Sequence, residues 1–277
     1  MPMKIIPKYY VFQTLLPICA FASLSFAAED AVMLRVAAYN VEFSKNATPE
    51  KIGKMFKPFK LDIIGFNEAP DGDWTQRAGK VLGMDYSYVG KTSSANHKDK
   101  YKTILSRLPL EETGEILLKG AGWNPASAVK AVIRKDGIPI TFYSLHICGS
   151  KNDEGHAHYL ATKVLPRKKS ERVIVAGDFN NRVGDDSLNF IEEAGLRPTW
   201  KDLKIELIQK FTYNAFAPDK QAGVIDHIFY NVSSGAKATD GAIIELKKPL
   251  SDHKPVWAEL AFPRELGAKK SGLPSGP

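Results

Sequence analysis

A carboxylate and an amide close an apolar run at Gly177-Asp178-Phe179-Asn180, just after Val173-Ile174-Val175-Ala176. The run is short, mostly β-branched and without alternation, so it reads as a strand buried on both faces. Asp178 and Asn180 stand two residues apart and share one side of an extended chain. Polar groups there are costly to desolvate unless they bind something. Taken alone, the pair fits a helix cap as well as a site. The pattern recurs, however. Asn40 interrupts the run from Val32 to Phe43 near its end, and Asn67-Glu68 ends the run from Leu61. His146 lies near the end of Tyr143 to Ile147. Asp226 is inserted in Gly223 to Tyr230, and Asp252-His253 lead into the last apolar segment. One such strand end is a turn. Asn40, Glu68, His146, Asp178, Asn180, Asp226, Asp252 and His253 together imply one sheet edge that binds a ligand.

The residue types suit one chemistry. Carboxylates and an amide carbonyl are hard oxygen ligands for a divalent metal, Mg²⁺ foremost and Mn²⁺ or Ca²⁺ as alternatives. Two histidines can donate to phosphate oxygens or move protons near neutral pH. No cysteine cluster or histidine spacing suggests structural zinc. There is no G-x-S-x-G, no Gly-rich P-loop and no dinucleotide fingerprint. An oxygen-ligated metal with His and Asp suits hydrolysis of a phosphate ester by activated water.

The elements that must hold these groups alternate between strands and helices. Thr48-Pro49-Glu50 opens a helix carrying Ile52, Met55, Phe56 and Phe59 on one face. Trp74 to Leu82 is a second helix, stopped at Gly83. Asp153 to Arg167 and Ser187 to Ala194 are two more. His156 and His158, at i,i+2, fall on different faces of the third helix and read as surface or helix-start residues. Lys91 to Lys102 is a basic, exposed loop that could meet an anion. Phe211-Thr212-Tyr213 reads as a short strand. No internal repeat or linker divides the chain, so one domain is expected.

The 277 residues, 44% hydrophobic, are ample for a core. A formal charge of +7 favours anionic partners. Lys4 and Lys8 precede an uncharged apolar stretch from Tyr9 to Phe26, and Ser25-Phe26-Ala27 offers a cleavage site. Residues 1–27 therefore read as a secretory signal, 28–263 as the folded domain and 264–277 as a disordered tail. Export to the periplasm or outside the cell is expected, with no stable membrane insertion after cleavage. Cleavage removes two lysines and no acid, and leaves Cys148 as the one cysteine. The stability of the exported chain then rests on its core rather than on an internal disulfide.

In order, Tyr39-Asn40-Val41, Asn67-Glu68, Ser144-Leu145-His146, Gly177-Asp178-Phe179-Asn180, Ile225-Asp226-His227 and Ser251-Asp252-His253 resemble the endonuclease/exonuclease/phosphatase superfamily. That superfamily includes deoxyribonuclease I, exonuclease III and neutral sphingomyelinases. The resemblance spans roughly residues 33–262. It implies an α/β fold, a four-layer α/β/β/α sandwich of two mixed β-sheets flanked by helices. It also implies roles. Glu68 is the main metal ligand with Asn40 and Asp252 beside it. His253 acts as acid/base paired with Asp226, Asp178 orients or deprotonates the water, and Asn180, His146 and Arg107 reach the phosphate. A departure is Tyr101-Lys102-Thr103, where many members carry Gly-Asn-Ala.

The expectation is thus a secreted metal-dependent phosphodiesterase, a nuclease first, working as a monomer with no protein partner inferred. A sphingomyelinase-like phospholipid hydrolase or an inositol/sugar-phosphate hydrolase is the alternative on this scaffold. The phospholipid reading asks for an exposed apolar loop, for which Ala121-Gly122-Trp123-Asn124-Pro125 is the candidate. A non-catalytic binding protein would show a missing catalytic group, and none is missing.

Overall fold

The computed structural model describes residues 31–149, 154–165 and 171–265. The expected signal segment and almost all of the expected tail lie outside the described residues. Two six-stranded sheets form the centre. The first runs in the order β11(Lys237–Ile243), β12(Val256–Pro263), β1(Ala31–Asn40), β2(Ile63–Ala69), β4(Tyr101–Ser106), β3(Tyr86–Val89). The second runs β5(Glu111–Leu118), β6(Ala126–Lys135), β7(Ile138–His146), β8(Val173–Asp178), β10(Asp226–Asn231), β9(Leu196–Pro198). Each sheet is mixed around one parallel pair, β1 with β2 and β7 with β8.

Side-chain alternation builds the layers. On β1, Val32, Leu34, Val36 and Ala38 face the other sheet and pack with Val129, Ile140, Phe142 and Ile174. The intervening Ala37 and Tyr39 face outward, onto Ile52 and Phe56 of α1(Pro49–Phe56) and Ala78 of α2(Trp74–Leu82). On the far side Tyr143, Leu145, Val173 and Val175 pack with Leu160, and with Leu188 and Ile191 of α4(Asp186–Glu193). The central strands are thus covered on both faces, which is why β2, β8 and the end of β1 read as mostly apolar runs, while the edge strands β3, β5 and β11 stay partly exposed. The expected four-layer α/β/β/α sandwich is the fold found.

Local signals held where capping chemistry was explicit. The Thr48 side chain accepts from Lys51 N, with Pro49 at the first helical position. Gly83 ends α2 in the left-handed conformation. The third helix differs from its expectation. It runs as α3(His156–Tyr159) and then widens into a π-helical stretch over Leu160–Val164. The expected strand at Phe211–Tyr213 is a single bridge, Tyr213 to His253. A short helix, α5(Thr199–Leu203), follows β9.

Topology decides where the site falls. The parallel pairs end at the same edge, with Asn40 beside Asn67 and His146 beside Asp178. β10 runs antiparallel to β8, so its first residue, Asp226, sits opposite Asp178. β12 runs antiparallel to β1, so the Ser251-Asp252-His253 turn that feeds it arrives at this edge too.

Candidate active site

Gly177 is where the chain bends to present Asp178. Its φ is +143°, and a Cβ there would lie 2.0 Å from the Leu145 carbonyl oxygen, so only glycine fits. Asp178 is then held from three sides. Its backbone N–H donates to Asn67 Oδ1 at 3.0 Å. Asn40 Nδ2 donates to its Oδ2 at 3.0 Å, and the Asn180 N–H to its Oδ1 at 2.9 Å. Burial pushes the Asp178 carboxyl up to about 7, against the opposing pull of His253.

His253 faces Asp178 and Asp226 at once. Nδ1 lies 2.8 Å from Asp226 Oδ2, and Nε2 lies 3.6 Å from Asp178 Oδ2. Burial alone would lower its pKa, but the two carboxylates outweigh burial and push it up to about 10. Several bonds fix this geometry. Thr212 Oγ1 accepts from the N–H groups of Ile225 and Asp226, and Ser251 Oγ donates to the Asn40 carbonyl at 2.8 Å. Lys254 N donates to the Thr212 carbonyl and Ala215 N to the Asp252 carbonyl, clamping the His253 turn.

His146 completes this side. Nε2 lies 3.4 Å from Asp178 Oδ2 and 3.3 Å from Asn180 Nδ2, which donates to the Ile147 carbonyl at 2.9 Å. Burial, reinforced by nearby cations, holds His146 well below the ordinary histidine range, so it is neutral. Asn180 takes a positive φ of 51°, the kind of backbone strain that concentrates at functional positions.

A cavity of about 450 Å³ opens over these groups. Glu42, Glu68 and Asp252 also line it, Glu68 Oε1 lying 3.9 Å from His146 Nδ1, and Phe43, Trp123 and Tyr213 complete its sides. The Trp123 ring lies 4.9 Å from that of His146, and the Tyr213 ring 5.0 Å from that of His253. Burial pushes the Asp252 carboxyl up, and the charges of Glu42 and Glu68 add to the shift. Carboxylates that share one cavity and repel one another suit a hard divalent cation, which would relieve their repulsion. The Lys100 ammonium, 2.9 Å from Glu68 Oε2, shows that this acidic group attracts positive charge. Asp178, Asp226 and His253 form a second group whose ligand atoms lie within 4.8 Å of one another. The Asp226–His253 hydrogen bond already engages that group, and Glu68 and Asp252 offer further oxygen ligands that could hold a metal.

A model of the endonuclease/exonuclease/phosphatase family matches residues 37–253. The chain belongs to this family. No curated protein matches the sequence at a significant level. Among solved structures, a family protein from Bacteroides thetaiotaomicron superposes with a TM-score of 0.68 at 22% identity, covering 86% of this chain and 98% of that one. The mannosyl-6-phosphatase of the same organism gives 0.64 at 22%, covering 83% and 100%. Zebrafish (D. rerio) TDP2, solved with a single-strand DNA product, gives 0.64 at 17%, covering 82% and 98%. At these identities the structures establish a shared fold.

Family members are phosphoesterase hydrolases, and the residues singled out in the sequence mostly gather at one edge. Glu68, Asp252, His146, Asp178, Asn180 and His253 line the cavity. Asn40 and Asp226 stand just behind it, each bonded to a lining residue. The Asn40 Oδ1 accepts from Glu42 N, leaving one lone pair for a metal. Arg107 is corrected. It follows the last residue of β4, at the edge opposite the site, and donates to the carbonyls of Leu61, Leu82 and Gly83. It stitches loops and cannot reach a phosphate in the cavity. His156 does open α3, as a helix-start residue, but it is not at the surface. It is fully buried, bonded to Asn124 Oδ1 and Cys148 N. The Trp123 segment is a wall of the cavity packed on two histidines rather than a protruding apolar loop.

Other residues escaped the sequence reading. Asn67 supports Asp178 from the neighbouring sheet and donates to Ser144 Oγ at 3.3 Å. Glu42 reaches the acidic group from just past β1, a polar residue after a strand end that alternation alone could have flagged. The basic loop folds inward, so that Ser94, His97 and Lys100 line the cavity.

Proposed function

We propose that this family member is a secreted, divalent-metal-dependent phosphodiesterase that cleaves nucleic-acid phosphodiester bonds by attack of water. The observation that carries the reading is the meeting of two groups of side chains in one cavity. Asp178, His253, His146 and Asn180 form a proton-handling and phosphate-holding group, beside the carboxylates Glu42, Glu68 and Asp252. Glu68 and Asp252, with the Asn40 carbonyl behind, would hold the metal, which when bound supplies charge stabilisation at phosphate oxygens.

The chain's own groups then divide the work. Asp178, its carboxyl pushed up to about 7, accepts the proton of the attacking water as the new P–O bond forms. His253, protonated between two carboxylates, gives its proton to the departing oxygen as the old P–O bond breaks. Neutral His146 and the Asn180 amide donate to non-bridging oxygens. The basic charge of the chain favours a polyanionic substrate. A second reading, a small sugar-phosphate ester, is favoured by the aromatic sides of a cavity of about 450 Å³. The mannosyl-6-phosphatase relative supports the same reading.

The deciding experiment is a hydrolysis panel of single- and double-stranded DNA, RNA, sphingomyelin, hexose 6-phosphates and bis-p-nitrophenyl phosphate, with Mg²⁺, Mn²⁺ or Ca²⁺ and with chelator. Chelator-resistant turnover, or full turnover by Glu68→Gln, would refute the mechanism. Turnover of hexose phosphates alone would replace the nuclease reading with the second one.

A further inference from the structure

Lys102 is a buried cation that the mechanism above does not use. It lies on β4, one residue from the strand's start at the active-site edge, and its side chain is fully enclosed. Its Nζ donates to the Thr92 carbonyl at 2.7 Å and to Ser94 Oγ at 3.3 Å. Ser94 Oγ in turn lies 3.1 Å from His146 Nδ1. Among the described residues no carboxylate oxygen comes within ion-pair distance of Lys102. Enclosing a protonated lysine with no ion pair is costly, and burial lowers its pKa to about 8 against the partial support of the Glu115 charge.

The hydrogen-bond directions follow from donor chemistry. An ammonium has donors only, so Ser94 Oγ must accept from Lys102. The single Ser94 hydrogen is then available to His146 Nδ1, 3.1 Å away, which can accept it. In that arrangement the His146 proton sits on Nε2, 3.4 Å from Asp178 Oδ2 and toward the cavity, where a phosphate oxygen would need a donor. The rest of the loop holds Ser94 still. Its N–H donates to the Lys100 carbonyl, and Ala95 N donates to the Pro125 carbonyl beside Trp123.

We infer that Lys102 is a positioning residue that acts through Ser94 to fix the tautomer and orientation of His146. This rests on the reading of His146 as a phosphate donor, but its first test does not. In the full chain carrying ¹⁵N-labelled histidine, long-range ¹H–¹⁵N spectra report which ring nitrogen is protonated, with His146→Gln assigning the signal. The expected result is Nε2–H in the unaltered protein and a mixture of tautomers in Lys102→Met and Ser94→Ala. The competing arrangement puts the proton on Nδ1, with Asn180 Nδ2 donating to Nε2. Finding that tautomer, or an unchanged His146 signal in Ser94→Ala, overturns the inference. Ser94→Ala keeps the Lys102–Thr92 bond, so it decides the matter even where Lys102→Met does not fold. On a substrate from the panel, Lys102→Met should lose on the order of tenfold in kcat with KM unchanged, and Lys102→Arg should recover part of it. A chain that cleaves no phosphate ester would refute the proposed function and leave the ring spectra to judge the relay.

Discussion

Asp226 Oδ2 receives His253 Nδ1–H at 2.8 Å, and this bond turns His253 Nε2 toward Asp178 and the cavity. The pairing comes from strands in different sheets, β10 and the turn before β12. The two sheets must therefore be packed before the acid/base group exists. His253→Ala should lower kcat by roughly 10²- to 10⁴-fold on bis-p-nitrophenyl phosphate. Asp226→Asn keeps the shape but not the charge, and should cost about 10- to 100-fold with little change in KM. Steady-state kinetics of the two variants check this. Full kcat in Asp226→Asn would remove the orienting role.

The Lys100 ammonium and a divalent cation compete for the same carboxylate, since Nζ lies 2.9 Å from Glu68 Oε2. Glu68→Gln should weaken Mn²⁺ binding at least tenfold, roughly the effect of losing one charged ligand near the surface. Lys100→Ala should instead strengthen it severalfold. Titration calorimetry of the metal alone reads both. Equal affinity in all three proteins would place the metal elsewhere in the cavity.

His227 makes the folded chain sensitive to acid. Its Nδ1 accepts from Trp200 Nε1 at 3.0 Å and its Nε2 donates to the Asn181 carbonyl at 2.8 Å, so the neutral ring is fully used. Burial lowers its pKa to about 4 from an ordinary 6.5. The unfolded chain binds this proton more readily. Stability is therefore whole above the ordinary value and falls as pH drops through the window from 6.5 to 4. Linkage gives a loss of about 2 kcal/mol from this residue between roughly pH 7 and pH 5. Urea unfolding at the two pH values measures it. A His227→Gln variant that folds should show a smaller difference, and an equal one would assign the acid sensitivity to other groups.

The sandwich was legible because the central strands are covered on both faces, which turns β2, β7, β8 and the end of β1 into mostly apolar runs with a polar residue at one end. Asn40, Glu68, His146, Asp178, Asp226 and His253 could be gathered for that reason. Asn67 was legible only as a neighbour of Glu68. Its task, holding the Asp178 N–H across the gap between sheets, depends on how the sheets pack, which no single strand encodes. The Lys91–Lys102 loop misled in a similar way. A run of lysines describes a solvated loop, yet Lys102 turns inward because β4 alternation places it against Ser94 and Thr92. The basic loop is thus partly cavity wall.

Arg107 offers the sharpest contrast between motif and place. It follows Ile104-Leu105-Ser106 as a phosphate-contacting arginine would, but β4 runs antiparallel to β2, and Ser106 pairs with Ile63 at the start of that strand. Arg107 therefore emerges at the edge away from Glu68. There its guanidinium donates to three carbonyls, those of Leu61, Leu82 and Gly83, tying the end of α2 to the approach to β2. Arg107→Met should leave kcat/KM within about twofold while costing about 0.5–1.5 kcal/mol of stability, the net range for hydrogen bonds whose acceptors water can reach. Denaturant midpoints and kinetics on one preparation separate the two effects. Loss of activity in a variant with unchanged stability would return Arg107 to the substrate.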